Sequence, residues 1–207
     1  MAMAKPPRTY SSAVRAAAAA ETRAQVMSAA AQLLREQPDF AAFTLDAVAR
    51  AAGVTRLTVY NQFGSRRGLL EAVFDDLAVR GGLPRIAQAM AMSDGRAAIQ
   101  RLVAVFCDFW GGDAAVGRLN EAVAADAEFG EAISQRNERR RDAIRVLVDR
   151  LCAGRRIGAT AREEATDLLF GLTGYAMFKA LSVNRSTAVV RELVQRACNR
   201  ALDDLLR

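Results

Sequence analysis

The chain has 207 residues, 52% of them hydrophobic, with four prolines and no histidine. This length fits one compact unit or a small domain joined to a larger one, and the alanine-rich, proline-poor composition leans all-helical. The lack of histidine removes the usual general base and the commonest metal ligand, which weighs against most hydrolytic and metal-dependent chemistry.

In chain order, residues 1–15 carry two prolines and basic side chains and are expected as a flexible basic arm, with Arg8 and Arg15 as candidate minor-groove contacts. The chain turns helical from about Val14, through an alanine run at 16–20. Apolar Val26, Ala29, Ala30, Leu33 and Leu34 then recur on one face at helical spacing. Pro38 ends this helix or sits just past it. Thr44 is a good N-cap for a short helix striped by Leu45, Val48 and Ala49, and Gly53 suits the left-handed residue that stops it. A second short helix runs over 55–63. Gly64 and Ser65 break it, and Ser65 caps a longer helix carrying Leu69, Leu70, Val73, Phe74 and Leu77. Gly81, Gly82 and Pro84 mark a boundary, giving an expected small domain over 16–80 and a larger one over 83–207.

In the larger part, Ile99, Leu102, Val103, Phe106, Phe109 and Trp110 share one face, closed by Gly111 and Gly112. A shorter segment covers 114–125 and a long helix covers about 128–153. Thr160 and Glu163 read as a capping box for a helix to about Leu181. Ser186 caps the last helix, with Val189, Val190, Leu193, Val194, Ala197, Leu202 and Leu205 as its apolar positions. No segment shows the period of a strand.

The net charge of +6 is unevenly placed. Residues 1–70 hold 9 Lys/Arg against 4 Asp/Glu, whereas residues 71–207 hold 20 against 19. A basic first third points to a polyanion partner or to a solubilising surface. Cys107, Cys152 and Cys198 are far apart and odd in number, without zinc-ligand spacing, so free thiols in a reducing compartment are expected. No apolar run approaches the roughly 18 residues of a membrane span. The opening segment lacks the hydrophobic core of a secretion signal. A cytoplasmic protein is expected, away from the membrane and without metal, cofactor or catalytic residues.

Two short helices around Gly53 form a helix-turn-helix pattern. Ala49, Ala52 and Gly53 allow the close crossing, and the second helix is slender and polar, with Thr55, Arg56, Thr58, Tyr60, Asn61 and Gln62. Such a helix fits a major groove with its N-terminal residues on base edges. Tyr60 reads either as a wet-tipped contact residue or as a core aromatic.

The run from 44 to 70 resembles the signature of TetR-type regulators: a Thr, then Ile-Ala, Ala-Gly-Val-Ser, Thr-Leu-Tyr, a Phe, Ser-Lys-Glu and Leu. Here these positions read Thr44, Val48-Ala49, Ala52-Gly53-Val54-Thr55, Thr58-Val59-Tyr60, Phe63, Ser65-Arg66-Arg67 and Leu69. The resemblance covers roughly residues 20–78. It implies an all-α fold, in which a three-helix helix-turn-helix DNA-binding domain is joined by a linking helix to a larger helical domain for ligand binding and dimerisation. It further implies that Thr44, Thr58, Tyr60 and Arg66 contact backbone phosphates. Thr55, Arg56, Leu57 and Asn61 would face base edges. Arg66 stands for the usual Lys, Arg67 for a common acid, and Leu57 for a small residue.

The resemblance implies partners as well: a double-stranded DNA operator, a small-molecule effector, and a second copy held through the last two helices, where Gly171 and Gly174 allow close approach. In the long helix, Ile133, Asn137, Arg140, Ile144, Leu147 and Leu151 fall on one stripe. Asn137 and Arg140 either hold a polar ligand group in a cavity or, with the polar run 135–142, face solvent. Phe106 and Trp110 are the leading candidates for an apolar cavity wall, ahead of Phe109, Phe170, Met177 and Phe178. A repressor released by an apolar or aromatic ligand is the expected function. An activator or effector-independent regulator with the same module stays open, as does a helical protein-interaction adaptor.

Overall fold

The computed structural model describes residues 9–37 and 40–207, with side chains from residue 13 onward, and among them there are helices and no strand. Arg8 and Pro38 lie outside the described residues. The chain forms two compact units, 1–73 and 74–207.

The first unit opens with α1 (Thr9–Glu36). Residues 9–15, expected as a flexible arm, are therefore helical. No proline lies between Pro7 and Pro38, so nothing stops the alanine-rich helix from starting as early as Thr9. After a 3-10 turn at Phe40–Ala42 come α2 (Leu45–Ala51), α3 (Arg56–Phe63) and the start of α4 (Arg66–Arg80). Val26, Ala30, Leu34, Phe43, Val48, Val59, Leu69 and Leu70 are buried in its core. Polar side chains of α1 reach carbonyls near the ends of the other two helices, which lack partners inside their own helix. Gln25 Nε2 donates to Ala52 O (2.9 Å), and Arg23 Nη1 donates to Gln62 O (2.8 Å) while lying 4.3 Å over the Phe63 ring.

The second unit holds the rest of α4 from Phe74, a 3-10 turn at Leu83–Arg85, then α5 (Ile86–Ala91), α6 (Gly95–Gly112), α7 (Ala114–Ala122), α8 (Ala127–Cys152), α9 (Ala159–Leu172), α10 (Tyr175–Leu181) and α11 (Thr187–Leu205). α6 is the central element, packed against α5, α7, α8 and α11, with α9 lying on α8 and α11. Its core face buries Ile99, Leu102, Val103, Phe106 and Phe109, the stripe read from the sequence. Asp94 caps it, accepting from Arg96 N (2.9 Å) and Ala97 N (3.1 Å).

Two expectations need correction. The helix expected over 160–181 is broken into α9 and α10 at Thr173 and Gly174. Thr160 is not an N-cap: α9 starts from Gly158, without a side-chain cap bond. The break has a local cause. The Thr173 hydroxyl donates back to Leu169 O (2.8 Å), a competing bond that loosens a helix end, and Gly174 leaves in extended conformation at φ −76°, ψ 156°. The two compact units meet between Val73 and Phe74, inside α4. Among the described residues no helix is long and apolar enough to cross a membrane.

Candidate nucleic-acid interface and ligand cavity

Local chemistry sets the helix-turn-helix. The Thr44 hydroxyl accepts from Ala47 N (3.1 Å) and starts α2. Gly53 sits at φ +66°, a left-handed backbone, and Val54 N closes the turn onto Ala49 O (3.0 Å). Thr55 then caps α3: its hydroxyl accepts from Thr58 N (3.1 Å) and lies 2.9 Å from the Thr58 hydroxyl. α3 buries Val59 and exposes Arg56, Leu57, Tyr60 and Asn61, a set spaced to share one face. Leu57 is 66% exposed and Tyr60 55%. An apolar side chain left this bare on a short helix wants a partner, and a groove wall with thymine methyls provides one. Ser65 accepts from Gly68 N (3.0 Å) at the start of α4. Arg66 donates from Nη2 to Phe40 O (3.1 Å) with its guanidinium 4.3 Å over the Phe40 ring. Arg67 pairs with Glu71 at 2.7 Å.

The second unit encloses a cavity of about 320 Å³. Its apolar wall includes Phe74, Leu83, Ile86, Phe106, Trp110 and Ile133. Phe106 stacks on Trp110 with centroids 6.2 Å apart, and Trp110 meets Phe109 at 4.8 Å and Tyr175 at 5.7 Å. Three arginines of α8 border the cavity: Arg139 is exposed, while Arg136 and Arg140, one turn apart, are more buried and differ in their partners. Arg136 is clamped by Asp75, with Nε and Nη2 on the carboxylate at 2.9–3.1 Å. Arg140 is buried, with 8% of its surface exposed. Its Nη1 donates to Phe170 O (2.9 Å) and to the Thr173 hydroxyl (2.8 Å), and its guanidinium lies 4.0 Å over the Phe170 ring. Its Nε has no hydrogen-bond partner among the described residues. Burial in this apolar setting pushes the guanidinium pKa down to about 10, which leaves it charged at neutral pH.

The family model for bacterial regulatory proteins of the tetR family matches residues 26–73, which takes in the C-terminal part of α1 together with α2, α3 and the first part of α4. That match covers 48 of the chain's 207 residues and is confined to the helix-turn-helix segment. Over 58 residues it is 48% identical to the HTH-type transcriptional regulator AlkX of Mycobacterium tuberculosis, a match spanning 28% of this chain and 27% of that one. Over 114 residues it is 32% identical to EthR of Mycolicibacterium smegmatis, spanning 54% of this chain and 52% of the relative. The chain thus spans between a quarter and about half of the length of these curated relatives. Among solved structures, a TetR transcription regulator from Haloarcula marismortui matches with TM-score 0.69 and 18% identity, over 91% of this chain and 100% of that one. FadR from Bacillus halodurans, a fatty acid degradation regulator, matches with TM-score 0.63 and 16% identity, over 84% and 96%. These likenesses share the fold.

The residues expected at DNA fall in two groups. Arg56, Leu57, Tyr60 and Asn61 stand on the exposed face of α3. Thr44, Thr55, Thr58 and Arg66 already serve the module internally, as caps, a hydroxyl partner or a ring contact. The extra basic charge expected from Arg67 is offset by Glu71. The four residues expected at a pocket, Phe106, Trp110, Asn137 and Arg140, border one cavity. Arg140 is buried and Asn137 half-buried, so the polar run 135–142 is not wholly a solvent face. Phe109 joins them, but Phe170, Met177 and Phe178 do not line the cavity. Sequence reasoning missed Phe74, Asp75 and Arg136. The available signal was Arg136 one turn before Arg140; its partner Asp75 lies 61 residues away and could not be read from spacing.

Proposed function

We propose that this protein is a transcriptional regulator that binds a near-palindromic operator as a homodimer and answers to a small molecule in the α6–α8 cavity. The observation that carries this reading is the α3 face. Arg56, Leu57, Tyr60 and Asn61 project together from a helix held by a tight glycine turn, inside the segment matched by the tetR-family model. The relatives AlkX and EthR are both HTH-type transcriptional regulators, which supports the same reading here. Arg56, Leu57 and Asn61, with Thr55, read base edges, while Tyr60, Thr44, Thr58 and Arg66 meet phosphates. Exposed Leu168 on α9 and Val189 on α11 give apolar area for pairing two copies.

Release follows from one shared helix. α4 carries Arg66 at its start and Phe74, Asp75 and Ala78 of the cavity wall farther along. A ligand that repositions those wall residues acts on α4 and so on the spacing of the two reading heads. It releases DNA only if it binds the unfit arrangement more tightly, and a coupling of about 1–3 kcal/mol suffices for a working switch.

The test is fluorescence anisotropy with duplexes covering the DNA that flanks the gene. Binding should be saturable, prefer an inverted repeat, and weaken linearly in log K against log salt. Binding with no salt dependence would support the adaptor reading instead.

A further inference from the structure

We infer that the cavity ligand is an anion: a compact apolar carboxylate whose charged group is taken by Arg140. This inference rests on the reading of the α6–α8 cavity as an effector site, and it adds the ligand's chemical class.

A guanidinium in an apolar pocket is costly unless an opposite charge or enough acceptors compensate it. Arg136 and Arg140 border the same cavity and make a built-in comparison. Arg136 is neutralised by Asp75, so that pair brings no net charge. Arg140 makes no ion pair among the described residues, although it is the more deeply buried of the two. Its acceptors are a carbonyl and a hydroxyl at the C-terminal end of α9, together with the Phe170 ring. These supply partial negative charge only. Nη1 is committed to them, while Nε lacks an acceptor. A carboxylate is the complement to a guanidinium with donors to spare, and it takes two parallel hydrogen bonds. The aromatic and aliphatic wall asks for an apolar body behind that group. A cavity of about 320 Å³ holds about ten groups of water size at roughly 30 Å³ each. A straight-chain acid such as octanoate, or an aryl acid of similar size, fits that volume.

Isothermal titration of the full chain with octanoate and with octanamide tests this directly, because the two differ in charge and hardly in size. Octanoate should bind saturably and at least tenfold more tightly than octanamide. In Arg140→Met the preference should vanish. Arg140→Lys keeps the charge without the planar fork and should retain part of it. Equal affinities, no octanoate binding, or an unchanged preference in Arg140→Met would overturn the inference. The comparison of the two ligands on the unaltered protein stands even if a variant fails to fold. DNA binding measured on the same samples separates the two claims. Persistent salt-dependent DNA binding without octanoate binding removes the ligand class alone, and loss of DNA binding removes the regulator reading.

Discussion

Trp110 and Arg140 converge on one residue, Thr173: the indole N–H donates to its carbonyl (2.9 Å) and the guanidinium Nη1 to its hydroxyl (2.8 Å). Thr173 closes α9, so two cavity-wall side chains fasten the break between α9 and α10. Its hydroxyl acts twice, accepting from Arg140 and donating to Leu169 O.

Thr173→Val keeps the shape and removes that hydroxyl. It leaves a buried cation short of an acceptor, which costs about 1–3 kcal/mol. Urea unfolding should show a lower midpoint with an unchanged slope.

On α3, function and stability should separate. Leu57→Ala and Tyr60→Ala remove exposed side chains and should shift unfolding by no more than about 0.5 kcal/mol, yet weaken operator binding in anisotropy titrations. Val59→Ala, between them and fully buried, should cost about 2 kcal/mol in the same unfolding assay. If the two exposed variants bound DNA as tightly as the unaltered protein, the α3 face would not be the reading face.

Two glycines of the DNA module should answer differently to alanine. At Gly53 an added Cβ meets nothing within 4 Å, so the cost is the left-handed backbone alone, about 1–2 kcal/mol. At Gly68 the Cβ would lie 2.1 Å from Phe63 O, so the α3–α4 corner itself must move. Thermal melts should rank Gly68→Ala below Gly53→Ala.

The thiols give a pH prediction. Burial pushes Cys107 up to about 11 and Cys198 up to about 12, and it raises Cys152 as well. All three are buried, so a disulfide-exchange reagent at pH 8 should label none in the native protein and all three in denaturant. A folded pKa above the ordinary value of 9.0 favours the protonated thiol. The associated stability is therefore complete below pH 9 and falls as pH rises through about 11. Chemical denaturation at pH 8 and at pH 10.5 checks the sign.

Caps were legible in the sequence because they are local events. Thr44, Thr55, Ser65 and Ser186 each need only a backbone N–H three residues on, and each has it. The stripe of α6 was legible because burial on one face imposes a helical period. The break at Thr173 was not, since a hydroxyl bonding backward looks the same in sequence as one pointing out. Thr160 and Glu163 had the spacing of a capping box, but α9 starts two residues earlier than that box requires. The pairing of Arg136 with Asp75, which leaves Arg140 as the buried wall arginine without a counter-charge, depends on tertiary distance alone. The α3 face needed only the helix and its period, so its residues could be named in advance.

Trp110 is the single tryptophan of the chain, and it stands in the cavity wall. Indole emission from this protein therefore comes from one address. Whatever enters the cavity replaces the medium around that ring, and the intensity or colour of the emitted light will change with occupancy. The protein carries its own optical reporter, and a compound collection can be screened against it unlabelled, before any operator is known.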